Sequence, residues 1–214
     1  MSASGARELA PGTAPRTVEA LLSRLPEIAP PVSTAGAAVV IVLREGSADV
    51  ETLLIERSER AEDPASGQVA FPGGHVADGD GSLADTALRE LEEEVGLTRA
   101  DLAGGLRYVG TELAVHFGLK VGIFAGALAP DAKPPTARSQ EEVAHVFWLP
   151  RTALASSAPV VRETSRGFAE VRATVFEQHI LWGFTRRVIC QFFGIRSQDE
   201  PIGPVFAPRP PEPP

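Results

Sequence analysis

Three glutamates near the middle of the chain have the spacing of side chains that act together. Glu90, Glu93 and Glu94 follow an i, i+3, i+4 pattern, which places them on one face of an α-helix. Like charges at this distance repel each other, so such a face is either solvated or held together by a cation. A hard divalent cation such as Mg²⁺ binds carboxylate oxygens together with substrate phosphates. The pattern therefore indicates either an ordinary acidic surface or a metal site for phosphate chemistry.

The helix that carries these glutamates is predicted to run from Leu83 to Val95. Ser82 is a favoured N-cap residue, and Gly96 is a favoured residue for ending a helix. Arg89 lies one turn before Glu93 and is expected to fix the direction of its carboxylate. The apolar positions form a neighbouring, separate face: Ala84, Ala87, Leu88, Leu91 and Val95. We therefore expect one side of the helix to pack on a core and the carboxylates to point to one common place.

The residues around the glutamates resemble the Nudix box of the Nudix hydrolase family. The family pattern R-E-U-x-E-E-x-G-U, with U an aliphatic residue, is matched by Arg89, Glu90, Leu91, Glu93, Glu94, Gly96 and Leu97. The leading glycine and the acidic position of the pattern correspond to Gly74 and Asp80. Eight residues rather than seven separate Asp80 from Arg89, and the acidic residue is Asp rather than Glu. The extra loop residue leaves the helix register unchanged.

The resemblance implies a role for each matched residue. The three glutamates would bind Mg²⁺ or Mn²⁺, with the backbone carbonyl of Gly74 as a further ligand. Arg89 would orient the cluster, and Glu93 and Glu94 would act with it in catalysis. The metal would neutralise a diphosphate and activate a water for attack on phosphorus. The general base is left open between Glu94 and Glu142, and for Glu142 a surface position at a strand end is the favoured interpretation.

A second set of residues is similar to the signature of the coenzyme A pyrophosphatase branch of this family. The signature L-L-x-x-R-S, a further arginine, a glycine and F-P-G-G is matched by Leu53-Leu54, Arg57-Ser58, Gly67 and Phe71-Pro72-Gly73-Gly74. The resemblance implies that Arg57, Gly73 and Gly74 bind substrate, which would be coenzyme A or an acyl-coenzyme A. The 3′-phosphate of coenzyme A needs a cationic partner, and Arg57 is the candidate. The alternative for Arg57 is a surface residue at a strand end.

The match to this branch departs from the pattern at one substrate-related position. The further arginine is expected near Glu62 or Asp63, both acidic here, and Arg60 is the substitute. A hydrolase of another nucleoside diphosphate derivative, such as a dinucleotide, ADP-ribose or a nucleotide sugar, is therefore the second hypothesis. A Nudix-fold nucleotide sensor without catalysis is the third, although such a module typically lacks one of the glutamates.

Composition and charge narrow the class of partner. The net charge of −8 argues against broad nucleic-acid binding, and no apolar run is long enough to span a bilayer. The start of the chain shows no secretory signal, and the single cysteine excludes an intramolecular disulfide. We expect a cytoplasmic protein with a small nucleotide substrate, and the sequence leaves a homodimer open.

The remaining metal-binding and nucleophilic residue types show no pattern that indicates chemistry. No metal-ligand spacing links the histidines, and each is interpreted as structural or exposed: His75, His116, His145 and His179. Cys190 lies in an apolar segment and is expected to be inert core. That expectation counts against an isopentenyl diphosphate isomerase, another enzyme of this fold, in which a cysteine does chemistry.

The chain is expected to form one domain between two extensions. Residues 1–32 are interpreted as an arm with a short helix at Thr17–Leu25, 33–194 as the Nudix domain and 195–214 as a Pro-rich tail. Strands are predicted at Ala37–Leu43, Glu51–Arg57, Gln68–Phe71, Leu106–Leu113, Leu119–Leu128 and Val143–Leu149, and a core helix at Ile180–Phe193. Their irregular alternation predicts an α/β fold, and the resemblance implies a Nudix-type α/β/α sandwich with a mixed β-sheet.

Overall fold

A mixed β-sheet of seven strands runs through the centre of the computed structural model, which describes residues 17–26, 32–60, 65–164 and 167–195. In chain order the strands are β1 (Ala37–Glu45), β2 (Val50–Arg57), β3 (Val69–Ala70), β4 (Gly73–His75), β5 (Leu102–Ala114), β6 (Leu119–Leu128) and β7 (Val143–Pro150). β1 pairs in parallel with β6, and the other pairs of this sheet are antiparallel. The predicted α/β class with a mixed sheet is confirmed.

Helices cover both faces of this sheet because the central strand β1 is apolar on both faces. Helix α2 (Leu83–Val95) packs over Ala38, Val40 and Val42, and helix α3 (Gly183–Phe193) packs over Ile41 and Leu43 on the other side. A short helix, α1 (Val18–Leu22), adds to the α3 side. This arrangement is the predicted α/β/α sandwich. None of the helices in the described residues is long and apolar enough to cross a membrane.

The predicted ends of α2 are confirmed, because local interactions decide both of them. The hydroxyl of Ser82 accepts a hydrogen bond from the backbone N–H of Asp85, which caps the first turn. Gly96 ends the helix with a φ of 74°, a left-handed conformation that favours glycine. The register of the glutamates on the helix therefore follows from the sequence alone.

Two adjacent glycines, Gly73 and Gly74, lie in the sheet as part of β4. β1 and β2 are paired only near one end, and the segment 69–75 fills the gap between them, with β3 on β2 and β4 on β1. The backbone N–H of Val40 donates to the carbonyl of Pro72 at 2.9 Å where the segment crosses over. Gly73 and Gly74 are thereby fixed against β1 at the edge of α2.

A second, antiparallel sheet among the described residues was not predicted. Its three strands are β8 (Ala158–Thr164), β9 (Gly167–Phe176) and β10 (His179–Leu181). The predicted helix over Ile180–Phe193 is wrong at its start, because Ile180 and Leu181 pair with β9 and the helix begins at Gly183. Pairing with the preceding strand across a two-residue turn decides these residues, and a short apolar run does not reveal that pairing.

The predicted terminal segments are only partly described. Residues 1–16 of the arm and 196–214 of the tail lie outside the described residues, as do Glu62 and Asp63. The predicted helix at Thr17–Leu25 is shorter in the structure, where it ends at Leu22.

Candidate active site

The three glutamates of α2 lie at the edge of its buried face and differ in exposure. Glu94 is only 3% exposed, whereas the side chain of Glu93 is 56% exposed and Glu90 lies between them. Leu91 and Val95 on the same helix are fully buried against the sheet. Because one face of α2 is buried, the carboxylate of Glu94 lies inside the protein and that of Glu93 lies at the surface.

The two glycines of β4 lie directly against these carboxylates. The backbone N–H of Gly73 donates to Oε2 of Glu94 at 2.9 Å. The carboxylate of Glu90 occupies the space that a Cβ at Gly74 would fill, and the backbone of Ala38 occupies that of a Cβ at Gly73. Only glycine allows the strand to approach the helix this closely.

Arg89 binds two of the glutamates and the loop that follows β4. Its guanidinium contacts Glu90 at 2.8 Å and Glu93 at 3.1 Å, and it donates to the carbonyl of His75 at 2.9 Å. Two further hydrogen bonds of 3.1 Å connect it to Asp80. The predicted link from Arg89 to Glu93 is present, and the same side chain also fixes the loop to the helix.

Asp80 is the site residue whose place the sequence did not define. Its carboxylate accepts hydrogen bonds from Arg89, from the backbone N–H of Ala77 at 2.9 Å and from the hydroxyl of Thr86 at 2.8 Å. The hydrogen bonds with Arg89 hold the pKa of Asp80 well below its usual range and raise that of the guanidinium. The loop is one residue longer than in the family pattern, but it still places the carboxylate of Asp80 within hydrogen-bonding distance of Arg89. The feature of the sequence that could have indicated this contact is the position of Asp80, nine residues before Arg89.

Burial dominates the electrostatics of the glutamates. Removal from water raises the pKa of Glu94 to about 8, although the Gly73 N–H and the positive charge of Arg57 oppose this shift. Removal from water also raises the pKa of Glu90, again against the effect of Arg89. The negative charge of Glu142 adds to the raised pKa of both glutamates. The structure thus brings Arg57 and Glu142 to the same site as the glutamates.

The loop before β7 closes the site at the C-terminal end of α2. The backbone N–H of Arg138 donates to the carbonyl of Glu94 at 3.0 Å, and that of Ser58 donates to the carbonyl of Glu142 at 3.0 Å. Glu142 itself is exposed at the rim, whereas Glu94 is inside. Arg57 ends β2 beside this loop.

The carboxylates do not converge on one point as they stand. Among the residues that the structure describes, no three His, Cys, Asp or Glu side chains are grouped closely enough to hold a metal ion. Glu90 and Glu93 face the guanidinium of Arg89 instead, and Glu94 faces the N–H of Gly73.

The chemistry of this donor set fits a hard divalent cation. The three carboxylates on one edge of α2 and the backbone of Gly74 beside Glu90 offer oxygen donors, which are the ligands that Mg²⁺ and Mn²⁺ prefer. The buried carboxylate of Glu94 is stabilised as an anion when positive charge lies nearby, and Glu93, which is bound to Arg89, lies exposed on the solvent side.

The histidines whose side chains are described are exposed or structural and the cysteine is buried core, as predicted. His75 and His145 are exposed, and His179 is buried with its Nδ1 2.6 Å from the carboxylate of Glu56. Cys190 is buried on the α3 side of the sheet, opposite α2. The side chain of His116 is not among those described.

Comparisons with known proteins identify similar chains. The NUDIX domain family matches residues 33–170. A protein of Cronobacter sakazakii named "Uncharacterized Nudix hydrolase NudL" is 32% identical over 186 residues, which cover 82% of this chain and 92% of that protein. A protein of the same name from Photorhabdus laumondii is 32% identical over 145 residues, or 65% of this chain and 74% of that protein.

Solved structures of low sequence identity are also similar. A MutT/nudix family protein from Enterococcus faecalis has a TM-score of 0.49 and 17% identity, and the match covers 77% of this chain and 61% of that one. The NUDIX domain of Shewanella oneidensis NrtR, crystallised with ADP ribose, has a TM-score of 0.45 and 19% identity, over 54% of this chain and 72% of that one.

Proposed function

We propose that this chain, which belongs to the Nudix family, is a metal-dependent hydrolase of nucleoside diphosphate derivatives and that its substrate is coenzyme A or an acyl-coenzyme A. The observation that carries this proposal is the place of Arg57, whose positive charge acts on the buried Glu94. The 3′-phosphate on the ribose of coenzyme A needs a cationic partner, and Arg57 is a cation near the glutamates. The similarity of Leu53-Leu54, Arg57-Ser58 and Phe71-Pro72-Gly73-Gly74 to the coenzyme A pyrophosphatase signature supports the same substrate.

The residues of α2 and β4 take the following roles in this proposal. Glu90, Glu93 and Glu94 would hold Mg²⁺ or Mn²⁺, with the carbonyl of Gly74 as a further ligand. An ion held there would supply positive charge to the diphosphate and lower the pKa of a water. Arg89 positions the carboxylates through the hydrogen bonds described above, and Asp80 positions Arg89. The water attacks one phosphorus, and the bond to the bridging oxygen breaks.

Two carboxylates, those of Glu94 and Glu142, are the candidates for the general base of the reaction. Glu94 lies inside the site and accepts from Gly73, whereas Glu142 is exposed at the rim. We propose Glu94 because only its carboxylate lies within hydrogen-bonding distance of the strand that the diphosphate approaches.

A second candidate is a hydrolase of another nucleoside diphosphate derivative. The arginine that completes the coenzyme A signature is missing from its expected place near Glu62 and Asp63. Arg60 is close in sequence and exposed. A dinucleotide, ADP-ribose or a nucleotide sugar carries no 3′-phosphate and does not need that arginine. A sensor without catalysis is disfavoured because all three glutamates are present.

A hydrolysis screen tests the substrate directly. The purified protein is incubated with Mg²⁺ or Mn²⁺ and coenzyme A, dephospho-coenzyme A, ADP-ribose, NADH or UDP-glucose, and the products are separated by chromatography. We expect coenzyme A to be cleaved with the highest kcat/KM, and a chelator to abolish cleavage. Faster cleavage of another compound keeps the metal-dependent mechanism and rejects coenzyme A as the substrate.

Arg57→Ala is expected to distinguish coenzyme A from its dephosphorylated form. Loss of a charge-assisted contact should lower kcat/KM for coenzyme A about 10- to 100-fold and leave that for dephospho-coenzyme A within about threefold of wild type. Steady-state kinetics on both substrates measure the difference. Arg24→Ala is the matched control, because it removes an exposed arginine just after α1, which packs on the α3 side of the sheet. Equal losses on both substrates for Arg57→Ala contradict a contact with the 3′-phosphate.

A further inference from the structure

The loop before β7 is hydrogen-bonded to the C-terminal end of α2 and to the end of β2. In this segment, residues 136–142, which we call the rim loop, the backbone N–H of Arg138 donates to the carbonyl of Glu94 at 3.0 Å. The hydroxyl of Ser58, the residue after β2, donates to the carbonyl of Gln140 at 2.8 Å. The rim loop therefore extends from the helix of the glutamates to the end of β2.

Arg138 in the rim loop is exposed, and its side chain lies along the end of α2. Its Nε lies 2.8 Å, and its Cδ 3.3 Å, from the position that a Cβ of Gly96 would take, so the missing side chain of Gly96 makes room for them. Within the described part of the chain, no hydrogen bond or ion pair engages the guanidinium, although Glu141 and Glu142 lie exposed in the same loop. Its N–H donors are available to a ligand.

The end of α2 does not need the positive charge of Arg138. The last backbone carbonyls of a helix have no partner inside the helix. In α2 the carbonyls of Glu94 and Val95 accept instead from the backbone N–H groups of Arg138 and Thr136. The favourable effect of an exposed cation on a helix C-terminus is small and is screened by salt. The backbone of the rim loop thus caps the helix, and the side chain of Arg138 is left for another role.

Arg57 and Arg138 lie near the same turn of α2. Arg57 directly precedes Ser58, which is bonded to Gln140, and Gln140 is two residues from Arg138. Two extended residues span at most about 7 Å. The charge of Arg57 acts on the carboxylate of Glu94, and the backbone of Arg138 binds that of the same residue. Both arginines therefore flank the turn that carries Glu94.

The 3′-phosphate of coenzyme A needs more positive charge than one arginine supplies. A phosphate monoester carries a charge of about −1.5 to −2 at pH 7. It is attached to the ribose, and the sugar separates it from the diphosphate, so its cationic partners are expected outside the cluster of glutamates. The planar guanidinium of arginine suits two parallel hydrogen bonds to phosphate oxygens. The exposed position of Arg138 at the rim meets these conditions.

We propose that Arg138 binds the 3′-phosphate of coenzyme A together with Arg57, an inference that rests on the proposed function. Arg138 then takes the place of the signature arginine that is missing near Glu62 and Asp63, from a loop that is distant in sequence. It is a specificity-determining residue, which distinguishes coenzyme A from nucleotides without a 3′-phosphate. Bond cleavage stays at the glutamates.

Arg138→Ala is expected to lower kcat/KM for coenzyme A about tenfold and to leave that for dephospho-coenzyme A within about threefold of wild type. Arg138→Lys keeps the charge but not the planar guanidinium, so it should recover part of the loss. In the Arg57→Ala/Arg138→Ala double variant, the preference for coenzyme A over dephospho-coenzyme A should disappear. Steady-state kinetics on both substrates measure these ratios.

A binding measurement and a matched variant complete the test. Titration of adenosine 3′,5′-bisphosphate and of AMP in chelator needs no turnover, and Arg138→Ala should weaken only the binding of the bisphosphate, about tenfold. Arg99→Ala is the matched control, because it removes another exposed arginine after α2, on the chain that leads to β5 at the far edge of the sheet. It should keep the wild-type ratio of the two substrates.

Each contrary result overturns the inference in a recognisable way. Equal losses on both substrates, with a lower thermal unfolding midpoint, assign Arg138 to the stability of α2. Unchanged kinetics on both substrates leave Arg57 without this partner and keep the proposed function. A wild-type protein that cleaves another nucleotide but not coenzyme A rejects the proposed function, and the inference falls with it.

Discussion

Glu94→Gln is expected to lower kcat roughly 10²- to 10⁴-fold while the protein stays folded. The amide oxygen of glutamine still accepts the hydrogen bond from Gly73, but the negative charge that would hold the cation is lost. Because Glu94 is buried, the neutral side chain also removes a desolvation cost from the folded state. Turnover at saturating Mg²⁺ and the thermal unfolding midpoint measure the two effects separately.

The pH dependence of stability provides a second measurement on the same variant. In chelator, the pKa of Glu94 is raised from 4.5 to about 8 in the folded protein. The folded state therefore favours the protonated form, and this contribution to stability is fully present below about pH 4.5 and lost by about pH 8. The unfolding free energy of wild type should fall over this window more than that of Glu94→Gln. Added Mg²⁺ should reduce the fall in wild type.

Two other glutamates on the same helix provide a second test and a control. Glu93→Gln should lower kcat to a similar extent with little effect on stability, because that side chain is exposed. Glu92→Gln changes the exposed glutamate just before Glu93 and should leave turnover within about threefold of wild type, as surface substitutions generally do. Near-normal turnover in both Glu93→Gln and Glu94→Gln would remove these residues from the metal site.

Gly74→Ala is expected to reduce kcat about 100-fold or more without unfolding the protein. The new methyl group occupies the position of the Glu90 carboxylate, which is the end of a flexible side chain and moves away. That movement takes Glu90 off the hydrogen bond with Arg89 and out of reach of a shared cation. Kinetics at a series of Mg²⁺ concentrations should show a weaker dependence on the metal. An unchanged kcat at every Mg²⁺ concentration contradicts a role for this close contact.

Gly73→Ala is the matched change with a different expected result. Its Cβ meets the carbonyl and strand backbone of Ala38 and Val39, which cannot rotate away, and its φ of 152° disfavours any side chain. We expect a loss of stability of about 1–3 kcal/mol or more, seen in denaturant unfolding. Gly74→Ala is thus expected to change kcat, whereas Gly73→Ala is expected to change the free energy of unfolding.

The sequence alone determined the helix that carries the glutamates. The cap at Ser82, the stop at Gly96 and the spacing of Glu90, Glu93 and Glu94 depend on interactions within four residues, which a sequence pattern contains. The link from Arg89 to Glu93 is of the same local kind, and it is present. The Nudix family, the mixed sheet and the most apolar strand were identified from these residues and from the run AAVVIVL.

Only the tertiary structure decided how deep each glutamate lies and what it contacts. Glu94 is buried and bonded to Gly73, 21 positions away, because β4 pairs with β1 beneath α2. Sequence periodicity describes one element at a time, whereas these contacts depend on which strands pair. The dependence on strand pairing also explains why the hairpin of β8 and β9 was not predicted. It likewise explains why Ile180 and Leu181 lie in a strand and not in a helix. The spacing of the glutamates and Arg89 along the chain determined which chemistry is available. The pairing of β4 with β1, which are distant in sequence, determined the geometry of the site.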